Sequence, residues 1–146
     1  MHTSDTHART RRSELLALAE PAEVSDLADE LLARHGDPVV TLESETGLVM
    51  MQVREPVAKE RFHLGEVVVT RAEVEWHGTI GWSMRLGTDR GAALAAALCD
   101  AAAEIDVDSE RQVVELCDRI ERRSHDHDER EWSELLTTRV AFEELD

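Results

Sequence analysis

The stretch from Ala92 to Ala103 is the strongest constraint on the fold, because it is helical in composition and apolar on nearly every side. A helix without a polar face has to be buried all round, and its small residues suit close packing against a sheet or another subunit. Gly87-Thr88-Asp89 leads into it, with Thr88 or Asp89 as the expected N-cap. The longest apolar run in the chain lies here, and it is well short of the ~18 residues that a membrane helix requires. At 146 residues with 42% hydrophobic content, the chain is expected to form a single domain over 1–146 with a true core. Residues 1–9 are polar and are expected to be a disordered tail. Without an apolar segment there, no secretory signal is expected and a cytoplasmic location is.

Around the alanine run the pattern is mixed. Ala8 to Glu20 and Ala22 to His35 have the composition and spacing of two helices separated by Pro21. Val39 to Leu42 predicts a short strand, Glu45-Thr46-Gly47 a turn, and Leu48 to Arg54 a second strand, followed by a loop over Pro56 to Lys59. From Phe62 to Leu86 the alternation predicts an antiparallel hairpin. A two-residue His77-Gly78 loop would set its apolar positions opposite Gly81, Ser83 and Arg85. A three-residue Trp76-His77-Gly78 loop instead sets Val74 opposite Ile80, Ala72 opposite Trp82 and Val68 opposite Leu86. Directly opposed residues share a face, so the three-residue loop is the expected one, with Trp82 in the core.

After the alanine run, Asp108 or Ser109 is the expected cap of a further helix, with Val113, Val114, Leu116, Cys117 and Ile120 as its buried stripe. Ser124 to Asp128 reads as an interruption, and Arg139 to Phe142 as a short terminal strand. The fold class expected is α+β: a small antiparallel β-sheet with N-terminal helices and a C-terminal helical segment packed on it.

The chain carries 16 basic and 32 acidic residues, a net charge of −16, and Lys59 is its only lysine. Such a field repels nucleic acid, so no nucleic-acid partner is expected. Either a basic partner or a salt-rich cytoplasm explains it, and the even spread of acids favours salt, where the Debye length is ~3 Å at 1 M. Cys99 and Cys117 lack metal-ligand spacing and read as thiols inside helices. His125-Asp126-His127-Asp128 is the most ligand-like cluster, but its acidic surroundings point to a solvated loop. No phosphate loop and no nucleophile–base pair occurs, so no catalytic, cofactor or metal residue is expected.

Several short strings occur together in order: Glu45-Thr46-Gly47-Leu48-Val49, Arg61-Phe62 with Gly65-Glu66, Thr70-Arg71, Gly81, Leu86-Gly87 with Asp89, and Thr138-Arg139-Val140 with Phe142. In this order and spacing the chain resembles PhnG, a subunit of the carbon–phosphorus lyase system for phosphonate breakdown, over about residues 10 to 143. The resemblance implies an accessory subunit with no catalytic residue of its own, working with PhnH, PhnI, PhnJ and PhnL. With PhnH, PhnI and PhnL the family displaces the base of a purine nucleoside triphosphate (ATP or GTP) with methylphosphonate, giving α-D-ribose 1-methylphosphonate 5-triphosphate, and PhnJ later cleaves the carbon–phosphorus bond. It also implies interface or structural roles for Glu45, Thr46, Gly47, Arg61, Phe62, Gly65, Glu66, Thr70, Arg71, Gly81, Gly87, Asp89 and Arg139. Of Arg61, Arg71 and Arg139, at least one is expected in a buried or intersubunit ion pair. Where the family usually has a histidine and a glutamate after the Asp89 position, this chain has Ala92 and Leu94, read as drifted surface or subunit-contact positions. The isolated chain is expected to self-associate or be marginally stable. The alternative is a free-standing small-ligand-binding or enzyme domain on the same fold.

Overall fold

The computed structural model describes the backbone of residues 2–143 and the side chains of residues 5–136. Helices α1 (His2–Ala17) and α2 (Pro21–His35) precede strands β1 (Val39–Arg54), β2 (Arg61–Trp76) and β3 (Thr79–Leu86), and α3 (Arg90–Ala102) and α4 (Val107–Glu143) follow. The strands form one antiparallel sheet in the order β1-β2-β3. The architecture is the expected α+β fold.

The alanine helix is its centre. Asp89 caps α3 by accepting from the Ala92 amide at 2.9 Å. Ala93, Ala96, Ala97, Ala101 and Ala102 are wholly buried, with the sheet on one side and α2 and α4 on the other. Trp76, Leu16, Leu31, Leu116 and Ile120 supply the bulk that the alanines lack. Ala92 is only 2% exposed, an interior position and not a drifted surface one, and Leu94 is partly buried against the core.

The β2–β3 hairpin takes the register that the alternation argued against. Val74 pairs with Gly81, Ala72 with Ser83 and Trp76 with Thr79, around a two-residue His77-Gly78 loop. Both loop residues have positive φ, 49° and 78°, as a type I′ turn requires. His77 is held there by donating from Nε2 to the His35 carbonyl at 2.9 Å. The physical reason lies in α3. A Cβ on Gly81 would stand 2.0 Å from the Ala97 carbonyl oxygen, so the core face of β3 has to lack a side chain where α3 crosses it. Its apolar residues Ile80, Trp82 and Leu86 therefore turn to the opposite face, and the tryptophan of the core is Trp76.

Glu45-Thr46-Gly47 is not a turn. β1 is continuous from Val39 to Arg54, with bulges either side of Leu42, and the three residues pair with Arg71, Thr70 and Val69. Ladder hydrogen bonding outweighs the local preference of glycine for a turn. Beyond the end of β3, β1 and β2 continue together as a two-stranded ribbon whose tip is the loop at Pro56 to Lys59.

Helix α1 begins at His2, within the segment read as a tail, and Arg9 donates to the Ile80 carbonyl on the free edge of β3. Helix α4 runs unbroken through Ser124–Asp128 to Glu143, so there is neither an interruption nor a terminal strand over Arg139–Phe142. Its buried half carries the expected stripe, except that Val114 is 47% exposed. Its N-terminal amides are met by Asp106, whose Oδ1 accepts from the Ser109 amide at 2.7 Å, rather than by Asp108 or Ser109.

Candidate functional site

Seven of the motif residues come together where the middle of the sheet meets the start of α3. Across β1 and β2, Arg71 Nε donates to Glu45 Oε1 at 2.6 Å, and Arg71 Nη2 reaches the same oxygen. One pair behind, the Thr46 and Thr70 hydroxyls are 3.0 Å apart, and Thr70 donates onward to the Gly87 carbonyl at 2.8 Å. The Gly87 amide returns to the Val68 carbonyl at 2.9 Å, with Gly87 at φ 95°. Asp89 then starts α3, and Ser44 reaches the Arg90 carbonyl at 2.9 Å. The hydroxyl relay is fully satisfied, and Thr70 is wholly buried. The cluster therefore stitches β1, β2 and the β3–α3 turn into one unit, with Gly47 flanking a shallow cleft of about 260 Å³.

The other motif residues lie elsewhere. Gly81 is the contact point beneath α3. Arg61, Phe62, Gly65 and Glu66 are on the ribbon, with Gly65 at φ 131° beside the bulge where Met51 gives way to Gln52. Arg139 belongs to α4, and its side chain is outside those described.

Among the described side chains, a buried ion pair is found not at Arg61 or Arg71 but at a different arginine. Arg71 and Glu45 are about half exposed, a surface pair worth ~0–1 kcal/mol. Arg12 instead donates from Nε to Asp100 Oδ1 and from Nη2 to Glu104, both at 2.8 Å, with Arg12 13% and Asp100 4% exposed. Burial opposes the Arg12 charge, but the two carboxylates outweigh it and raise its pKa. Asp100 Oδ2 also accepts the Trp82 amide at 3.0 Å, so the carboxylate takes up an outward-facing amide on the free edge of β3. Arg85 is buried as well. It donates to the Leu16 and Ala19 carbonyls at 2.7 and 2.6 Å, a cation on the C-terminal end of α1. The lone acid in the alanine run was the sequence signal for Asp100, whereas nothing local marked Arg12 or Arg85.

His35, Ser109 and Asp106 have the composition of a nucleophilic triad but not its geometry. Ser109 Oγ and Asp106 Oδ2 both approach His35 Nε2, at 2.8 and 3.3 Å, whereas a relay needs one partner on each ring nitrogen. Ser109 is wholly buried. The trio locks the end of α2 to the start of α4. His125 and His127 are ~200° apart around a helix, and each pairs with the glutamate one turn on, Glu129 at 3.2 Å and Glu131 at 3.1 Å. Among the described residues, no three His, Cys, Asp or Glu side chains converge as a metal site would need. Burial pushes the Cys117 thiol up to about 11 and raises Cys99 further, and both are free thiols. A concavity of about 680 Å³ beside α4 is lined by Arg119, Arg122, Arg123 and Arg130, but Glu20 and Asp126 share it and Arg123 is taken by Glu23 at 2.7 Å. No helix among the described residues is long and apolar enough to cross a membrane.

Known proteins resemble this chain along nearly its whole length. The family model described as phosphonate metabolism protein PhnG matches residues 7–145, which takes in the stitch, the ribbon and both buried arginines. The alpha-D-ribose 1-methylphosphonate 5-triphosphate synthase subunit PhnG of Rhizobium meliloti (strain 1021) is 33% identical over 144 residues, covering 96% of this chain and 91% of its own length. With a family match of that extent and a relative aligned over more than nine tenths of both chains, the chain belongs to the PhnG family of phosphonate metabolism.

Proposed function

We propose that this chain is the PhnG subunit of a ribose 1-methylphosphonate 5-triphosphate synthase, an accessory component that positions the subunits doing the chemistry. The observation that carries the reading is the full-length match to a relative that bears that name. The geometry supports an accessory role. Glu45, Thr46, Thr70 and Arg71 are committed to bonds within the sheet and its turn to α3, the Ser109–His35 contact is buried as a helix lock, and both thiols are held protonated. The partners are PhnH-, PhnI-, PhnJ- and PhnL-like subunits, and the substrate of the complex is ATP or GTP with methylphosphonate. This chain binds no cofactor of its own and works in the cytoplasm. Misplacing a catalytic group by ~1 Å can cost ~100-fold, so an accessory chain can be indispensable without touching substrate.

A test in cells uses a host that lacks its own copy of this subunit, with methylphosphonate as sole phosphorus source. Growth should fail and should return when this chain is supplied. Growth without it, or no rescue in a host whose salt suits the −16 chain, would count against the reading.

A further inference from the structure

The face of the sheet turned away from α3 has two unlike halves. In the first, Val67 and Val69 of β2 lie beside Met84 and Leu86 of β3, and the flank of α1 with Leu18 walls them into a groove of about 490 Å³. Trp82 closes its far side. Leu86 is 68% exposed, Leu18 58% and Trp82 40%. Of the residues lining the groove only Glu14 and Arg85 are charged, in a chain that is 33% charged, and Arg85 is spent on the carbonyls of Leu16 and Ala19. Arg71, opposite Met84, divides the halves and is taken by Glu45; in the second half, Glu73 pairs with Trp82 and Glu75 with Ile80 in the strand register. Neither glutamate meets a cation among the described residues, and Glu73 accepts only from Thr41, at 2.9 Å.

We propose that this face is the docking surface for a different protein subunit, one whose mating segment is apolar and carries basic side chains at one end. The inference rests on the assembly reading above. Apolar side chains of the partner fill the groove, where exposed hydrophobic surface this contiguous marks an interaction site. Its Lys or Arg residues meet Glu73 and Glu75, giving the contact register and charge complementarity. A second copy of this chain fits poorly, because it would bring an identical acidic half and another −16 net charge to the same contact. The ribbon over 48–68 carries no net charge. Its Arg54, Lys59 and Arg61 balance Glu55, Glu60 and Glu66, while Met50, Phe62 and Leu64 are exposed.

The test immobilises the full chain and measures its affinity for the remaining synthase subunits, co-expressed from the same host. Leu86→Asp places a charge in the groove at a side chain outside the core, and Glu75→Arg reverses the acidic half. Val107→Asp, at a 76% exposed position on α4, is the control. Leu86→Asp is expected to weaken binding at least tenfold with an unchanged thermal melt. Glu75→Arg should weaken it several-fold, by a factor that shrinks in molar salt, and Val107→Asp should leave it unaltered. If the wild type binds and Leu86→Asp binds equally well with its fold intact, the docking surface is wrong while the assembly reading stands. If the wild type binds none of the subunits, the assembly reading fails and this surface with it. Loss of a homodimer alone, read by light scattering, would make a second copy the occupant and overturn the proposal.

Discussion

Gly81 lies so close to Ala97 that a methyl group on the glycine would sit 2.0 Å from the alanine carbonyl oxygen and 2.6 Å from the Ala101 amide nitrogen. The neighbour is helix backbone and cannot swing away, so α3 and β3 are in contact through their main chains. The close approach sets the hairpin register and sends Trp82 and Leu86 to the other face, where they line its apolar half. Gly81→Ala is expected to destabilise by about 3 kcal/mol or more, at or above the top of the usual range for overpacking. Urea denaturation checks this, and a loss under ~1 kcal/mol would mean that α3 can lift from the sheet.

Asp100 performs two tasks with one carboxylate, and substitutions can separate them. Asp100→Asn can still accept the Trp82 amide but loses the charge facing Arg12, while Asp100→Ala loses both. Breaking a buried pair from one side costs ~3–5 kcal/mol. Asp100→Ala and Arg12→Ala should both approach that figure, with Asp100→Asn smaller. The double variant Arg12→Ala/Asp100→Ala should cost clearly less than the two singles together. Simple additivity in chemical denaturation would show that the two side chains do not act as a pair.

The sequence showed which segments are regular far better than which way they face. A run with no polar side can only be a buried helix, so α3 was legible along with its Asp89 cap. Alternation in β3 identified the residues that share a face but not the face that meets the core. Burial of the Gly81, Ser83 and Arg85 face depends on the approach of α3 from elsewhere in the chain. The outer half of α4 was hidden for the opposite reason. Among its described side chains none is buried, so there is no stripe to read, and local support comes from His–Glu pairs one turn apart. Of the site, the strings naming Glu45, Thr46, Thr70, Arg71 and Gly87 marked residues that do meet. The Arg12–Asp100 pair spans 88 positions and left no local trace beyond a single acid among alanines.

Acid should loosen the corner where α2 meets α4. The Arg123 hydrogen bond holds the Glu23 carboxyl below its ordinary value, despite some burial, and the Glu20 amide adds to this. At the start of α4, the Ser109 amide does the same for Asp106. A lowered folded-state pKa gives stability that is present above the ordinary carboxylate range and is lost as pH falls through the lowered value. Glu23→Gln should therefore be less stable than wild type near pH 7, with the gap closing as pH drops below about 4. A gap that stays constant across that range, followed by circular dichroism, would show that the carboxylate charge plays no part.

The two thiols should report unfolding rather than redox chemistry. With the Cys117 thiol pushed up to about 11 by burial, the folded chain at pH 7.5 holds under about one thiolate in a thousand, and Cys99 holds fewer. Labelling with Ellman's reagent should be at least about a hundredfold slower than in urea-unfolded chain, with Cys99 the slower of the two. Rapid native labelling of Cys117 would mean that the α1–α4 contact opens readily.

Formation of ribose 1-methylphosphonate 5-triphosphate tests the central claim most directly. Purified subunits are combined in high salt with ATP or GTP and methylphosphonate, with and without this chain, and base release and product are followed together. Product should form only when the chain is present, and the chain by itself should release no base. Full product without it would contradict the account, and base released by the isolated chain would make it an enzyme in its own right.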